Sequence, residues 1–222
     1  MCPVPSPVSC SPKDCPMKKA ALLAAALFLT PVAALAQVSP PADMPAGTYT
    51  VDPTHASLTF KVNHFGLSNY TARFRHFDAK IEFDPVDVTK SKVTASIDTL
   101  SLQTDYPYPE KVDFNKEIGA GEKWLNGDKF PTITFTSTRL EKTGETTGKM
   151  HGDLTMLGVT KPVVLDVTFN GGYPKHPMSG KPIMGFSATG SLKRSDFGLS
   201  TFVPAIGDEV TVIIEAEFPK AE

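Results

Sequence analysis

By type, the residues of this chain best suited to moving protons or holding a ligand are its five histidines, His55, His64, His76, His151 and His176. Their spacing argues against a shared metal. None stands in H-x-x-x-H or H-E-x-x-H, and none neighbours a cysteine. His64 has the parity of Leu58, Phe60 and Val62, so it faces the inner side of a strand. Two readings stay open for it: a ligand to a head group or a haem iron, or a core histidine hydrogen-bonded to backbone near a strand end. His55, on the parity of Ser57 and Thr59, reads as a turn or surface residue. Asp196 and the pair Asp208-Glu209 lie beside glycines and read as turn caps, where a carboxylate accepts backbone N–H groups. Ser195-Asp196 with a distant histidine sketches a triad, but no Gly-x-Ser-x-Gly elbow supports it. There is no G-x-x-x-x-G-K-[ST] and no G-x-G-x-x-G. Lys193-Arg194 is too small a basic cluster for nucleic acid and reads as a solvated strand end.

The elements that must position these residues begin after a targeting segment. Met17-Lys18-Lys19, a short run of Ala, Leu and Phe, and Ala34-Leu35-Ala36 have the layout of a secretory signal cleaved after Ala36. The apolar run, about ten residues and interrupted by Pro31, is too short for the roughly twenty of a spanning helix. Residues 1–16 read as an extension upstream of the start at Met17. The expected compartment is the periplasm. All three cysteines, Cys2, Cys10 and Cys15, would be lost, leaving no disulfide and no thiol nucleophile. Cleavage also removes Lys13, Lys18, Lys19 and Asp14, which takes the formal net charge from −2 to −4. A mildly acidic chain of one domain is a poor partner for nucleic acid.

Residues 37–47 are Pro-rich and read as a flexible lead-in to a domain spanning 48–222. From there, apolar and polar residues alternate with period two, segment after segment. Leu58, Phe60 and Val62 share a face; Tyr70, Ala72 and Phe74 share another. The apolar parity then slips to Phe77, Ala79, Ile81 and Phe83, which predicts a β-bulge near Arg75-His76. Further strands follow at Val93–Ile97, Ile133–Phe135, Met150–Met156, Val163–Phe169, Phe186–Leu192 and Val210–Phe218, with turns expected at Leu157-Gly158 and Asn170-Gly171-Gly172. Residues 103–130 break the pattern and read as a crossover with short helical turns, carrying the single Trp. The fold class is all-β, an antiparallel barrel or sandwich of about eight strands.

Several separated blocks then match one family in order: Asp52-Pro53-x-His55-x-Ser57, Phe60-x-Val62-x-His64-x-Gly66, Asp128–Phe135, Leu154–Val163, Gly185–Gly190, Arg194–Leu199 and Gly207–Val210. From about Gly47 to Phe218 the chain resembles the YceI family of periplasmic proteins. The resemblance implies an extended lipocalin-like antiparallel β-barrel with a short helical excursion, commonly a dimer, that binds a polyisoprenoid or related amphiphile in its lumen. It carries over no catalytic motif. Ile118–Gly127 departs from most relatives, in which the matching segment reads as a short charged helix ending in aromatic residues. The departure falls on the barrel mouth and so bears on chain-length preference.

Taken together, these readings predict a carrier or sequestering protein for an isoprenoid or fatty-acyl-type lipid. No enzyme step, no metal and no cofactor is required, and the protein would meet the membrane transiently. The expected ligand-binding residues are Phe60, Val62, Phe74, Phe77, Ile81, Ile97, Phe135, Met156, Leu165 and Phe186 on the wall. His64, Tyr70 and Arg73, with Asn63, are expected near the polar head. The alternatives are an enzyme acting on such a lipid and a haem or small redox carrier, both through His64.

Overall fold

The computed structural model describes residues 39–222. The expected signal segment and the expected start at Met17 lie outside them. Among the described residues, eleven strands form one antiparallel sheet: β1 (Gly47–Thr50), β2 (Ala56–His64), β3 (Ser68–Phe74), β4 (Phe77–Phe83), β5 (Lys92–Asp98), β6 (Leu102–Gln103), β7 (Thr132–Lys142), β8 (Thr147–Met156), β9 (Val159–Tyr173), β10 (Ile183–Lys193) and β11 (Ile206–Pro219). The sheet order is β1-β4-β5-β7-β8-β9-β10-β11-β2-β3-β6. The two ends of that order are joined by the chain itself. β1 runs into β2, β3 into β4 and β5 into β6, each pair being one long strand with a bend. Eleven strands thus make eight walls. Backbone bonds stitch the bends: Val51 N–H to Ala79 O, Asp52 N–H to Glu217 O, and Arg75 N–H to Ser101 O. The last edge closes where Tyr49 bridges Lys220 and Ala221 N–H reaches Thr48 O. The result is the expected lipocalin-like barrel, closed so that no long edge is left to template aggregation.

Three local readings differ from expectation. The parity slip at Arg75-His76 is not a bulge within one ladder. It is a corner at which the strand changes partners, with Ser101 O and Oγ taking the two N–H groups freed there. Asn170-Gly171-Gly172 is not a turn; β9 runs through it. Gly171 opposes Gly185 and Phe169 opposes Phe186, so Asn170 is the extra residue of a bulge, and Gly171 takes the positive φ of 137° that such a site demands. The Pro-rich lead-in from Ser39 is built into the barrel. Ser39 exchanges two backbone bonds with Gly172, Pro41–Asp43 forms a 3-10 turn, and Met44 beyond it is buried. Leu157-Gly158 is a two-residue hairpin turn with both residues at positive φ, as anticipated.

Between β6 and β7 the chain crosses the barrel end. It holds a single seven-residue helix, α1 (Phe114–Ala120), started by Asp113, whose carboxylate accepts Lys116 N–H at 3.0 Å. Large apolar side chains gather in two groups on the inner faces. One, at the end where β1 begins, includes Met44, Tyr49, Phe83, Phe169, Met184 and Phe218. The other, toward the crossover, includes Leu58, Ile97, Leu102, Leu125, Ile133, Met156, Phe197 and Leu199.

Candidate ligand-binding cavity

Alternation along each strand turns one residue in two toward the barrel axis, and on nearly every strand that residue is hydrocarbon. These side chains leave a continuous cavity of 1190 Å³. It passes Phe60, Phe74, Ile81, Ile97, Phe135, Leu165, Phe186, Val212 and Ile214. Rings pack along it in pairs rather than meeting at the axis: Phe60 with Phe74 at 5.7 Å and Phe169 with Phe186 at 5.3 Å between centroids. Near the β1 end Tyr49, Met44 and Met184 face inward without bordering the cavity, which there reaches Pro41 of the lead-in, Val86 and Asp87 after β4, and Glu145 of the β7–β8 hairpin. Tyr49 and Met184 are fully buried, and Tyr49 Oη donates to Pro45 O at 2.7 Å, which satisfies the buried phenol. Burial raises the Tyr49 pKa.

At the other end the cavity emerges among His64, Tyr70, Tyr106, Phe114, Trp124 and Phe202. Hydrogen bonds set this rim. Tyr70 Oη donates to Thr104 O at 3.1 Å, and Asn115 Oδ1 accepts from both Thr104 N–H and Thr104 Oγ1 at 2.8 and 2.7 Å. Thr201 Oγ1 donates to Lys123 O at 2.6 Å, and Trp124 lies 6.0 Å from the Phe202 ring. Among the described residues, no buried side-chain nitrogen or oxygen lacks a hydrogen-bond partner. The wall therefore offers an entering molecule apolar contact, and polar groups concentrate at the ends.

Twelve of the thirteen residues singled out from the sequence border the cavity: Phe60, Val62, His64, Tyr70, Phe74, Phe77, Ile81, Ile97, Phe135, Met156, Leu165 and Phe186. Arg73 does not. It sits on the outer face opposite Thr59, because its parity is the reverse of Ala72 and Phe74. Asn63 also points away, and its Oδ1 accepts Gly66 N–H at 2.8 Å to close the β2–β3 turn. His64 is exposed on the rim, edge-on to Phe65, and makes no side-chain hydrogen bond among the described residues. It is therefore not a core histidine. His55 lies outside, as expected, paired with Asp52 at 2.9 Å. That contact, with Thr54, pulls the Asp52 carboxyl down to about 2.

Asp208 caps as expected, accepting Ser195 N–H at 2.9 Å and Ser195 Oγ at 2.7 Å, which lowers its pKa. The reading of Arg194 as a solvated strand end is overturned. It is buried, and its guanidinium donates to four carbonyls: Gly207, Leu199, Thr201 and Ile206, at 2.8 to 2.9 Å. Burial lowers its pKa. The signal was present: Arg194 continues the inward parity of Phe186, Ala188 and Leu192. The rim residues Tyr106, Trp124 and Phe202 lie on irregular segments and Phe114 opens α1, so none carries a strand periodicity that marks it in the sequence.

Fold and cavity together define a lipocalin-like barrel with an apolar lumen. Residues 49–218 match the YceI-like domain, and the chain belongs to the YceI family. It is 36% identical over 174 residues to a UPF0312 protein of Ectopseudomonas mendocina, covering 78% of this chain and 87% of that one. It is 35% identical to Protein YceI of Salmonella arizonae, covering 78% and 86%. The crystal structure of the Campylobacter jejuni YCEI protein superposes with a TM-score of 0.63 at 32% identity, over 73% of this chain and 91% of that chain. A polyisoprenoid binding domain from Saccharophagus degradans shares the fold, with a TM-score of 0.58 at 14% identity over 78% and 98% of the two chains.

Proposed function

We propose that this protein binds a long-chain isoprenoid or similar amphiphilic lipid in its lumen and carries or sequesters it in the periplasm. The observation that carries the reading is the unfilled 1190 Å³ cavity with a hydrocarbon wall. It is larger than the roughly 300–1,000 Å³ of most small-molecule pockets and too apolar to gain from holding water. At about 0.8 kcal/mol per methylene, ten buried carbons supply roughly 8 kcal/mol before ordering costs. The polybranched tail of an isoprenoid suits a wall that mixes Phe, Ile and flexible Met156. That a fold-sharing domain is described as polyisoprenoid binding supports the same class. The signal-like Met17–Ala36 segment supports the compartment. No bond-making step is needed. His64 stands at the rim with no acid or base hydrogen-bonded to its ring among the described residues, so the enzyme and haem readings gain nothing from the geometry.

The test is organic extraction of protein purified from a bacterial periplasm, followed by mass spectrometry. A prenyl or acyl lipid near one per barrel is expected in the wild type and absent in Phe60→Asp, which places a carboxylate in the wall. A cytoplasmic protein free of lipid, which also fails to take up a fluorescent prenyl probe, would overturn the proposal.

A further inference from the structure

The rim of the cavity is built from residues that a soluble barrel has reason to hide. Phe65 and Leu67 form the tip of the β2–β3 turn and are 59% and 87% exposed. Phe202, on the loop before β11, is 64% exposed. Phe65 and Phe202 both sit at positive φ, 55° and 60°, a region that a bulky aromatic residue rarely adopts. Two exposed aromatics in left-handed backbone are thus held at one end. They are tied together, since Phe65 N–H donates to Ala205 O at 2.7 Å and Ile206 N–H to Phe202 O at 2.8 Å. The two tips are also empty of formal charge. No Asp, Glu, Lys or Arg occurs between Lys61 and Arg73, or between Asp196 and Asp208, in a chain that is 21% charged. Tyr108 and Val112 on the crossover add exposed apolar surface.

We propose that this crown is a docking surface for a lipid bilayer, into which Phe65, Leu67 and Phe202 insert so that the lumen opens toward the membrane. The inference rests on the lipid-carrier reading above. What commits the surface to a bilayer is its continuity with the cavity: Phe202 and His64 border the lumen while Phe65 and Leu67 stand beyond it. A lipid tail moving along this path stays against hydrocarbon throughout. The side chains also project from loop tips, which suits shallow insertion between head groups better than the flat face a protein partner needs. The crossover carries both signs, with Lys111, Lys116 and Lys123 set among Asp105, Glu110, Asp113, Glu117 and Glu122. Attraction to anionic lipid is therefore not the driving term, and binding is expected to be nearly independent of salt.

The experiment is co-sedimentation of the protein with vesicles of pure phosphatidylcholine, run beside titration with a fluorescent prenyl probe. The wild type is expected to sediment with the vesicles, and Trp124 emission to shift to the blue. Phe65→Asn/Leu67→Ser should lower the partition coefficient about tenfold or more, because it removes two inserted apolar side chains. Asn accepts left-handed backbone, so the turn survives, and neither residue borders the lumen, so prenyl-probe affinity should hold. Met178→Ser, which strips an exposed apolar side chain that does not border the lumen, should leave sedimentation unchanged. A wild type that stays in the supernatant, or a turn variant that sediments like wild type, overturns the docking surface. So does a wild type that forms a larger species which the turn variant dissolves, since the crown would then be covered by protein. A protein that sediments through the crown yet binds no prenyl probe would instead overturn the cargo.

Discussion

The two ends of the barrel put the same residue types to opposite use. At the floor, Met44, Tyr49 and Met184 are large, apolar and wholly enclosed. At the mouth, Phe65, Leu67 and Phe202 are large, apolar and open to solvent. Alternation along a strand cannot separate these cases, because it reports a face and not a depth. The difference is made by what covers each end. The floor is covered by the chain's own lead-in, laid across β9 through Ser39 and Gly172. The mouth is ringed by the crossover and the loop before β11, which approach the opening and leave it uncovered. Enclosed packing is therefore concentrated beside the lead-in, while exposed Val86 at that end also borders the cavity; the mouth differs in holding its large apolar side chains open to solvent on loop tips.

The largest expected effect breaks that contrast directly. Tyr49→Ala empties a fully enclosed site and strands Pro45 O, and should cost about 3–5 kcal/mol. Phe202→Ala removes an exposed ring and should cost about 1 kcal/mol or less. Urea midpoints at constant m-value measure both. Comparable losses would mean that the mouth is as tightly packed as the floor.

Arg194 is the exception that sharpens the comparison, a buried charge at the open end. Among the described residues it has no carboxylate within ion-pair distance. Its charge is met by four carbonyls, three of them on the loop that carries Phe202 or at its junction with β11. Arg194→Ala orphans those acceptors and should cost about 3 kcal/mol, with faster amide exchange over residues 199–207. Arg194→Lys should recover little, since one ammonium cannot reproduce a planar fork aimed at four oxygens.

These contrasts also show how far the chain could be read before folding. The walls were legible because period two survives in every long strand, and parity placed ten inward residues from Phe60 to Phe186 on the cavity. Arg73 and Asn63 fail where parity is set aside, and Arg194 fails because charge is given more weight than parity. The corner at Arg75-His76 and the bulge at Asn170 are obscure in the sequence for a different reason. A slip of one residue looks the same in sequence whether the ladder continues or the partner changes, and the partner lies dozens of residues away. The rim was illegible for the same cause, since Trp124 and Phe202 meet through loops without periodicity.

The smallest effect concerns acid. Asp52, at the bend between β1 and β2 near the floor, accepts from His55 and from Thr54 N–H and Oγ1. Its carboxyl lies at about 2, below the ordinary 3.8, with the His55 hydrogen bond the largest cause. The native state thus binds fewer protons than the unfolded one between those values. The contribution is full above about pH 4 and fades as pH falls toward 2. His55 is raised above 6.5 by the same contact, so its share is full below that value and is lost as pH rises through the raised one. The pair is strongest between these limits. Asp52→Asn should flatten the stability profile at both edges while leaving the middle lowered by no more than a surface pair contributes. Asp208→Asn at the mouth should flatten only the acid edge, because its partner Ser195 does not titrate there. Urea midpoints from pH 2 to pH 9 would separate the two. An identical profile for both variants would show that the Asp52–His55 contact contributes nothing as an ion pair.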